Sequence, residues 1–402
     1  MADLSAIAFF GESNDGILAW WTKCIADRMV RHGISVETIN LLHPDWSTDL
    51  SAHLRQRIPD FCFSFQGFGM RLSNGSENLW TAMNIPFVSS MGDAPYWSPP
   101  LHSASGKTLA HLYTSQEFLE FYVEFLKGKN FATFVPFGYP SNPHANNVTW
   151  HKRDLDLVFV KTGVDPNALR AAWAEVPAML REMIEEASKI ALAGQTESIG
   201  RIVANVFSER RFDLNENTNP FMYSCQKVDA YVRATRADRM ARQIMRHGGH
   251  IFGDWPHLDR GKSRAVFHGK IPAGQLNKLY ARSRILANTA PCTLTGMHER
   301  ILAAFQAKAF ILTDSSAFLE ERLASYPSFK SVPIESAEFA DILDARLLEI
   351  RRLGAEPAAT QAMLDDVRVR AETEFGLDQF ISRMLEVVSL LNAERGNEIH
   401  AK

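Results

Sequence analysis

"RILANTAPCTLTGMHERILAAFQAKAFILTD", residues 284–314, reads as strand, loop, helix, strand. "RILANT" (284–289) and "AFILTD" (309–314) are short apolar runs that end in polar residues, with an alanine-rich helix between them. Short apolar runs separated by helices indicate parallel strands buried on both faces. The same alternation extends upstream through "DLVFVKTG" (156–163), "HIFGDW" (250–255) and "AVFHGKIP" (265–272), and the tail from residue 337 is helical. It recurs in the first half as "AIAFF" (6–10), "DFCFSF" (60–65), "PFVSS" (86–90), "LAHLYTS" and "ATFVPFG", with a helix over residues 17–32. "GYPSNPHANNVTWHKRD" (138–154), rich in Pro, Asn and His, separates the halves as a linker. A mostly helical block over 166–247 is broken by "RRFDLNENTNP". The expected fold class is α/β, with two doubly wound domains over residues 1–145 and 154–375. Ligands of such sheets lie beyond the carboxyl ends of the strands, so the loops there are expected to line one interdomain cleft.

The bulk numbers agree with this reading. The chain has 402 residues, enough for two cores, with 46% apolar and 22% charged residues. A formal net charge of −3 argues against a general nucleic-acid binder, whose affinity comes from neutralising phosphates. Cys24, Cys62, Cys225 and Cys292 have no metal or redox spacing and read as reduced thiols. Residues 1–13 lack a signal-peptide pattern and no apolar run is long enough to span a bilayer, so a cytoplasmic protein is expected.

The loops carry the chemistry. "TGMHER" runs into a helix, whose first N–H groups and partial positive charge suit a phosphate. In that loop Gly296 lets backbone approach a ligand, Arg300 supplies a charge-assisted contact, and Glu299 can accept from two neighbouring hydroxyls, as on a ribose. The plain structural alternative is that Glu299 only caps the helix and Arg300 only solvates it. Thr295 and His298 share the segment, while Gly253, His268, Gly269 and Asn288 follow other strands; each also has an ordinary turn or packing role. In the first half "GESNDG" offers Glu12, Asn14 and Asp15, and "QGFG" offers Gly67 and Gly69 on an acceptor side. Asp93 in "MGDAPYW" is the first candidate for a general base, with Glu12 second; its alternative is an Asx-turn before Pro95. Walker, GxSxG, HExxH and GxGxxG patterns are missing, which weakens kinase, nucleophile-elbow hydrolase and nicotinamide dehydrogenase readings.

"KLYARSRILANTAPCTLTGMHERILAAFQAKAFILTDSS" resembles the C-terminal signature of bacterial glycosyltransferases of the spore-maturation-protein-B-like group. The matching residues are Tyr280, Ser283, Arg284, Ile285, Gly296, Arg300, Thr313 and Asp314; "PDFCFSFQGFG", "NIPFVSSMGDAPYW" and "FVPFGYP" are similar to that group's N-terminal phrases. The resemblance implies a GT-B fold, with two Rossmann-like domains facing across a cleft, an acceptor side first and a nucleotide-sugar side second. It adds Tyr280 to the donor-side residues and implies a C-terminal helix, residues 376–402, that returns to the first domain. It further implies sugar transfer from a UDP- or dTDP-sugar to an acceptor, which the sequence does not name, with no cofactor and no essential metal. Two departures stand out: Ala303 replaces the Glu that commonly binds the donor ribose, and Lys308 replaces a Gly before the strand. Glu299, one helical turn before Ala303, is a candidate substitute. A catalytically silent nucleotide-sugar-binding scaffold and a sugar-nucleotide epimerase of the same fold are the alternatives.

Overall fold

A computed structural model describes residues 4–11, 16–194 and 196–400. The chain divides into two compact units. One comprises the chain up to Pro140 together with Pro272–Gly274 and the segment from Glu374 onward; the other comprises Ser141–Ile271 and Gln275–Thr373.

The first unit contains β1 (Ser5–Phe10), β2 (Ser35–Asn40), β3 (Phe61–Phe65), the small antiparallel hairpin β4 (Ser73–Asn74) and β5 (Glu77–Asn78), then β6 (Phe87–Met91), β7 (Leu109–Tyr113) and β8 (Phe131–Phe134). Six of these form a parallel sheet in the order β2-β1-β3-β6-β7-β8. The central strands "FCFSF", "FVSSM" and "LAHLY" are buried at every residue, as expected where helices cover both faces. The edge strand "SVETIN" has only Ile39 buried. The helix Leu377–His400 belongs to this unit. Its Asp378 pairs with Arg28 and, at 2.6 Å, with His32, and Phe380 packs on Phe63 and Phe65. Arg28 first, then His32, hold the Asp378 carboxyl down to about 2 against partial burial.

The second unit contains β9 (Leu155–Val160), β10 (His250–Phe252), β11 (Val266–His268), β12 (Ser283–Ala287), β13 (Phe310–Asp314) and β14 (Phe329–Val332). They form a second parallel sheet, ordered β11-β10-β9-β12-β13-β14. The two doubly wound α/β halves expected from the sequence are thus present. The strand order reverses between β1 and β3 in one sheet and between β9 and β12 in the other, and these crevices are where such sheets take ligands.

Between β9 and β10 the chain makes the helices Pro166–Ala171, Ala178–Leu192, Ile199–Glu209 and Thr218–His247. The last has 30 residues. Its C-terminal part buries Ala237, Met240, Ala241 and Ile244 against Leu157, Phe159 and Ile251 of the sheet.

The stretch read as a linker is packed rather than loose. Tyr139 bridges to Gly376, Asn142 Nδ2 donates to the Asn277 carbonyl at 2.8 Å, and Trp150 lies in the second core. Among the described residues, no helix is long and apolar enough to cross a membrane.

Candidate functional site

β9 ends at Val160, and the next residue, Lys161, stands at the reversal point of the second sheet. Its Nζ donates to Thr289 Oγ1 at 2.9 Å, just past the end of β12. Burial, with the charges of Arg233 and Arg300, lowers the Lys161 ammonium to about 7, although Asp314 and Cys292 oppose the shift. The neighbouring loop fixes this lysine's backbone. Gly253 has φ +113, and a Cβ there would lie 2.5 Å from the Lys161 carbonyl oxygen. Trp255 Nε1 donates to that same oxygen at 2.6 Å.

Asn288 is fully buried at the end of β12, donating through Nδ2 to Thr313 Oγ1 at 3.0 Å. Its Oδ1 has no partner among the described residues. Asp314, closing β13, accepts from the Ala290 N–H at 2.8 Å and from Thr313 Oγ1 at 2.9 Å. Burial nevertheless raises its carboxyl above the ordinary value.

The helix Glu299–Gln306 starts beside these groups, and His298 is its N-cap. His298 Nδ1 lies 3.2 Å from the Arg300 N–H and 3.0 Å from Glu299 Oε2. Burial lowers this imidazole to about 4, so it is neutral at pH 7 and carries one ring proton. Nδ1 therefore either caps the helix or donates to Glu299. The ionised carboxylate favours donation, because a charge-assisted bond is the stronger. Burial opposes ionisation of Glu299, but His298 and Arg300 outweigh it and hold the carboxyl at about 2. Arg300 Nη1 is buried without a hydrogen-bond partner among the described residues.

The long helix supplies further charges. Arg233 lies 3.5 Å from Asp229, and Arg236, almost fully buried, forms a 2.5 Å pair with Glu335 beyond β14. A lysine, three arginines and a helix start thus influence one crevice that also contains two orphaned buried polar atoms. A phosphate oxygen would accept from Arg300 Nη1 and relieve the repulsion among the cations, whereas Asn288 Oδ1, an acceptor, calls for a donor such as a ligand hydroxyl.

Of the expected donor-side residues, Asn288, His298, Glu299 and Arg300 belong to this region. Tyr280 is buried and pushed up to about 12, by burial first, with the charges of Arg300 and Glu299 acting on it. Gly296 is buried and Thr295 half-buried, so the loop exposes less backbone than its glycine suggested. Gly253 acts through Lys161, as described. His268 stacks on Phe252 at 4.2 Å and lines a cavity of about 570 Å³ with Ile271, Gln275 and Lys278, while Gly269 accepts from the Gly253 N–H at 3.1 Å. Ala303 is 1% exposed and turned into the core, with Glu299 one turn before it. Sequence reasoning missed Lys161, Thr289, Arg233 and Arg236; the signals were the lysine straight after "LVFV" and the i, i+3 arginines of "YVRATR".

In the first unit, Asp93 is exposed beyond β6 and accepts from Gln66 Nε2 at 2.9 Å. Gln66 has φ 51, a left-handed conformation uncommon outside glycine, and Gly67 follows at φ 69. Ser89 Oγ pins this turn by accepting from the Gly67 N–H at 2.7 Å. Gly69 is required by packing, since a Cβ there would lie 2.8 Å from the Phe9 ring. Glu12, Asn14 and Asp15 lie outside the described residues.

No family model and no curated protein matches the chain. Among solved structures it is similar to a glycosyltransferase from Rickettsia africae, at 10% identity over 97% of this chain and 99% of that one, with a TM-score of 0.47. It is similar to sucrose-phosphate synthase from Thermosynechococcus elongatus, at 12% identity over 97% and 100%, with a TM-score of 0.47. It is also similar to Anabaena HepE, solved in complex with UDP and glucose, at 10% identity over 96% and 99%, with a TM-score of 0.44. At such identities and scores the likeness says nothing of activity, and the chemistry of the site rests on its own residues.

Proposed function

We infer that the chain is a GT-B glycosyltransferase, related to the spore-maturation-protein-B-like group, that moves a sugar from a nucleotide-diphosphate sugar to an acceptor. The observation that carries this reading is the Lys161–Thr289 bridge across the reversal point, with Arg233 and Arg300 acting on the same ammonium. These cations and the helix start at Glu299 meet the charge of a departing diphosphate without an essential metal. Glu299, held ionised, takes the ribose hydroxyls in place of the missing carboxylate at Ala303. Asp93, oriented by Gln66, serves as the base for an acceptor hydroxyl if transfer inverts the anomeric carbon.

A thermal-shift panel of UDP, dTDP and their sugars tests the reading, because a ligand that binds only the folded chain raises its melting temperature. Stabilisation by nucleotide diphosphates that is lost in Lys161→Met supports it, and no response to any member of the panel refutes it. The burial of Ala303 favours one second reading, a nucleotide-sugar-binding scaffold without activity. Product analysis with a bound donor separates the two and also detects an epimerase.

A further inference from the structure

At the opposite end of the second sheet, where β9 and β12 begin, lies a cavity of about 230 Å³. Trp150, Asp156, Arg284, Arg351 and Gly354 are among the residues that line it. Asp156 is the shared partner of both arginines, 3.1 Å from Arg351 and 3.8 Å from Arg284. A third guanidinium lies close by. Arg153 is 2% exposed and its charge lies 5.8 Å from the centre of the Trp150 ring. Its Nη1 and Nη2 donate to the carbonyls of Ser283 and Ala307, at 2.6 and 2.9 Å. Its Nε is buried without a partner, and it forms no ion pair among the described residues. Burial first, then repulsion from Arg284, lowers this guanidinium to about 10 although Asp365 opposes the shift, so the charges of Arg153 and Arg284 act on each other.

We propose that this cavity binds a small oxyanion carrying at least two negative charges, through Arg284 and Arg351. Two guanidiniums of the lining share the Asp156 carboxylate while Arg153 adds positive charge beside Arg284, and a polyanion restores the balance. The helix Phe339–Leu353 ends at the cavity, and its C-terminal partial charge disfavours an anion, but Arg351 and Arg352 in its last turn offset this. Size restricts the ligand. Pockets for drug-sized molecules span roughly 300–1,000 Å³, so a nucleotide sugar is too large and a diphosphate or a short dicarboxylate fits. The site is separate from the Lys161 crevice, which lies past the other ends of the same strands, and it stands whether or not the chain transfers sugars.

Calorimetric titration of the full chain with inorganic pyrophosphate, and separately with succinate, tests the proposal at an ionic strength held constant with chloride. In Lys161→Met/Arg300→Gln, which disables the other crevice, binding of one probe is expected to persist. In Arg284→Gln/Arg351→Gln that binding should weaken at least tenfold. The probe that binds identifies the oxyanion as phosphate-like or carboxylate. Circular dichroism checks that the variants fold; should the double variant fail, Arg351→Gln alone, at an exposed position, should show the same direction of change. Neither probe binding the Lys161→Met/Arg300→Gln protein, or unchanged binding in the Arg284 and Arg351 variants, overturns the proposal.

Discussion

Lys161 Nζ reaches Thr289 Oγ1 at 2.9 Å and so ties the carboxyl ends of β9 and β12 together where the strand order reverses. A hydrogen bond to a charged group contributes about 1.5–3 kcal/mol. Lys161→Met is therefore expected to weaken nucleoside diphosphate binding by roughly 10- to 150-fold. Its melting temperature without ligand should hold or rise, since a desolvated cation has been removed. Calorimetry and thermal melts read the two effects separately.

The same lysine sets a pH dependence. Its folded value of about 7 lies below the unfolded value near ~10.4. Between these the unfolded chain binds more protons, so this group makes the ligand-free protein more stable as pH rises through that window. Anion affinity runs the other way and falls above about 7 as the ammonium is lost. Diphosphate affinity measured from pH 6 to 9 should decline in the parent protein and stay flatter in Lys161→Met. A parent profile as flat as the variant's would remove Lys161 from the site.

Gly253→Ala should disturb the crevice without touching its charges. The new methyl would meet the Lys161 carbonyl at 2.5 Å in a backbone with φ +113. The expected loss is about 2 kcal/mol or more in urea unfolding, together with weaker diphosphate binding. Equal affinity in the two proteins would show that the loop does not place the lysine.

Acid should loosen the first unit before it touches the carboxylates. His102 and His111 are buried, with Nδ1 of His102 2.7 Å from the Tyr113 hydroxyl and Nε2 of His111 3.1 Å from Asn130 Nδ2. Burial lowers them to about 3 and about 4, respectively. The unfolded chain binds more protons below about 6.5, so stability contributed by neutral rings is lost as pH falls from there towards 4. The effect is on the order of 3 kcal/mol per ring. Urea midpoints from pH 7 to 4 should drop, and His111→Gln should drop less. His298 adds to the slope, whereas Glu299 and Asp378, held near 2, respond at lower pH.

Lys308 occupies the left-handed position after the helix Glu299–Gln306, at φ 56, where the resembled family has glycine. Ala309 N–H bonds back to the Ala304 carbonyl and Lys308 N–H to that of Phe305, which completes the Schellman turn. The side chain offsets the strain by pairing with Asp365 and by donating to Asn146 Oδ1 at 2.6 Å. Lys308→Ala keeps the strain and loses the partners, so it should destabilise by about 1 kcal/mol more than Lys308→Gly. Equal melting temperatures for the two variants would contradict this account.

The alternation of short apolar runs was enough to reveal two doubly wound halves, because strands such as "FCFSF" and "FILTD" are buried on both faces and must read as continuous apolar stretches. β14 was overlooked, since "FKSV" carries a lysine and a serine at half-buried positions and imitates a loop. The site was legible only where a strand end or a glycine announced a loop. Arg233 and Arg236 lie within a 30-residue helix, about 70 residues after β9 in the chain, and no local pattern connects them to Lys161. Asn288 and Tyr280 could be found from the sequence, but their burial could not, because it depends on what covers the strand ends.

The helix Leu377–His400 covers Phe63 and Phe65 with a residue made more than three hundred positions later, Phe380. During synthesis the opening half of the chain must therefore leave the ribosome with that patch bare and wait for nearly the whole of the remainder. A cut between the halves would yield an N-terminal fragment short of its last wall, and supplying the terminal helix as a separate peptide should complete it.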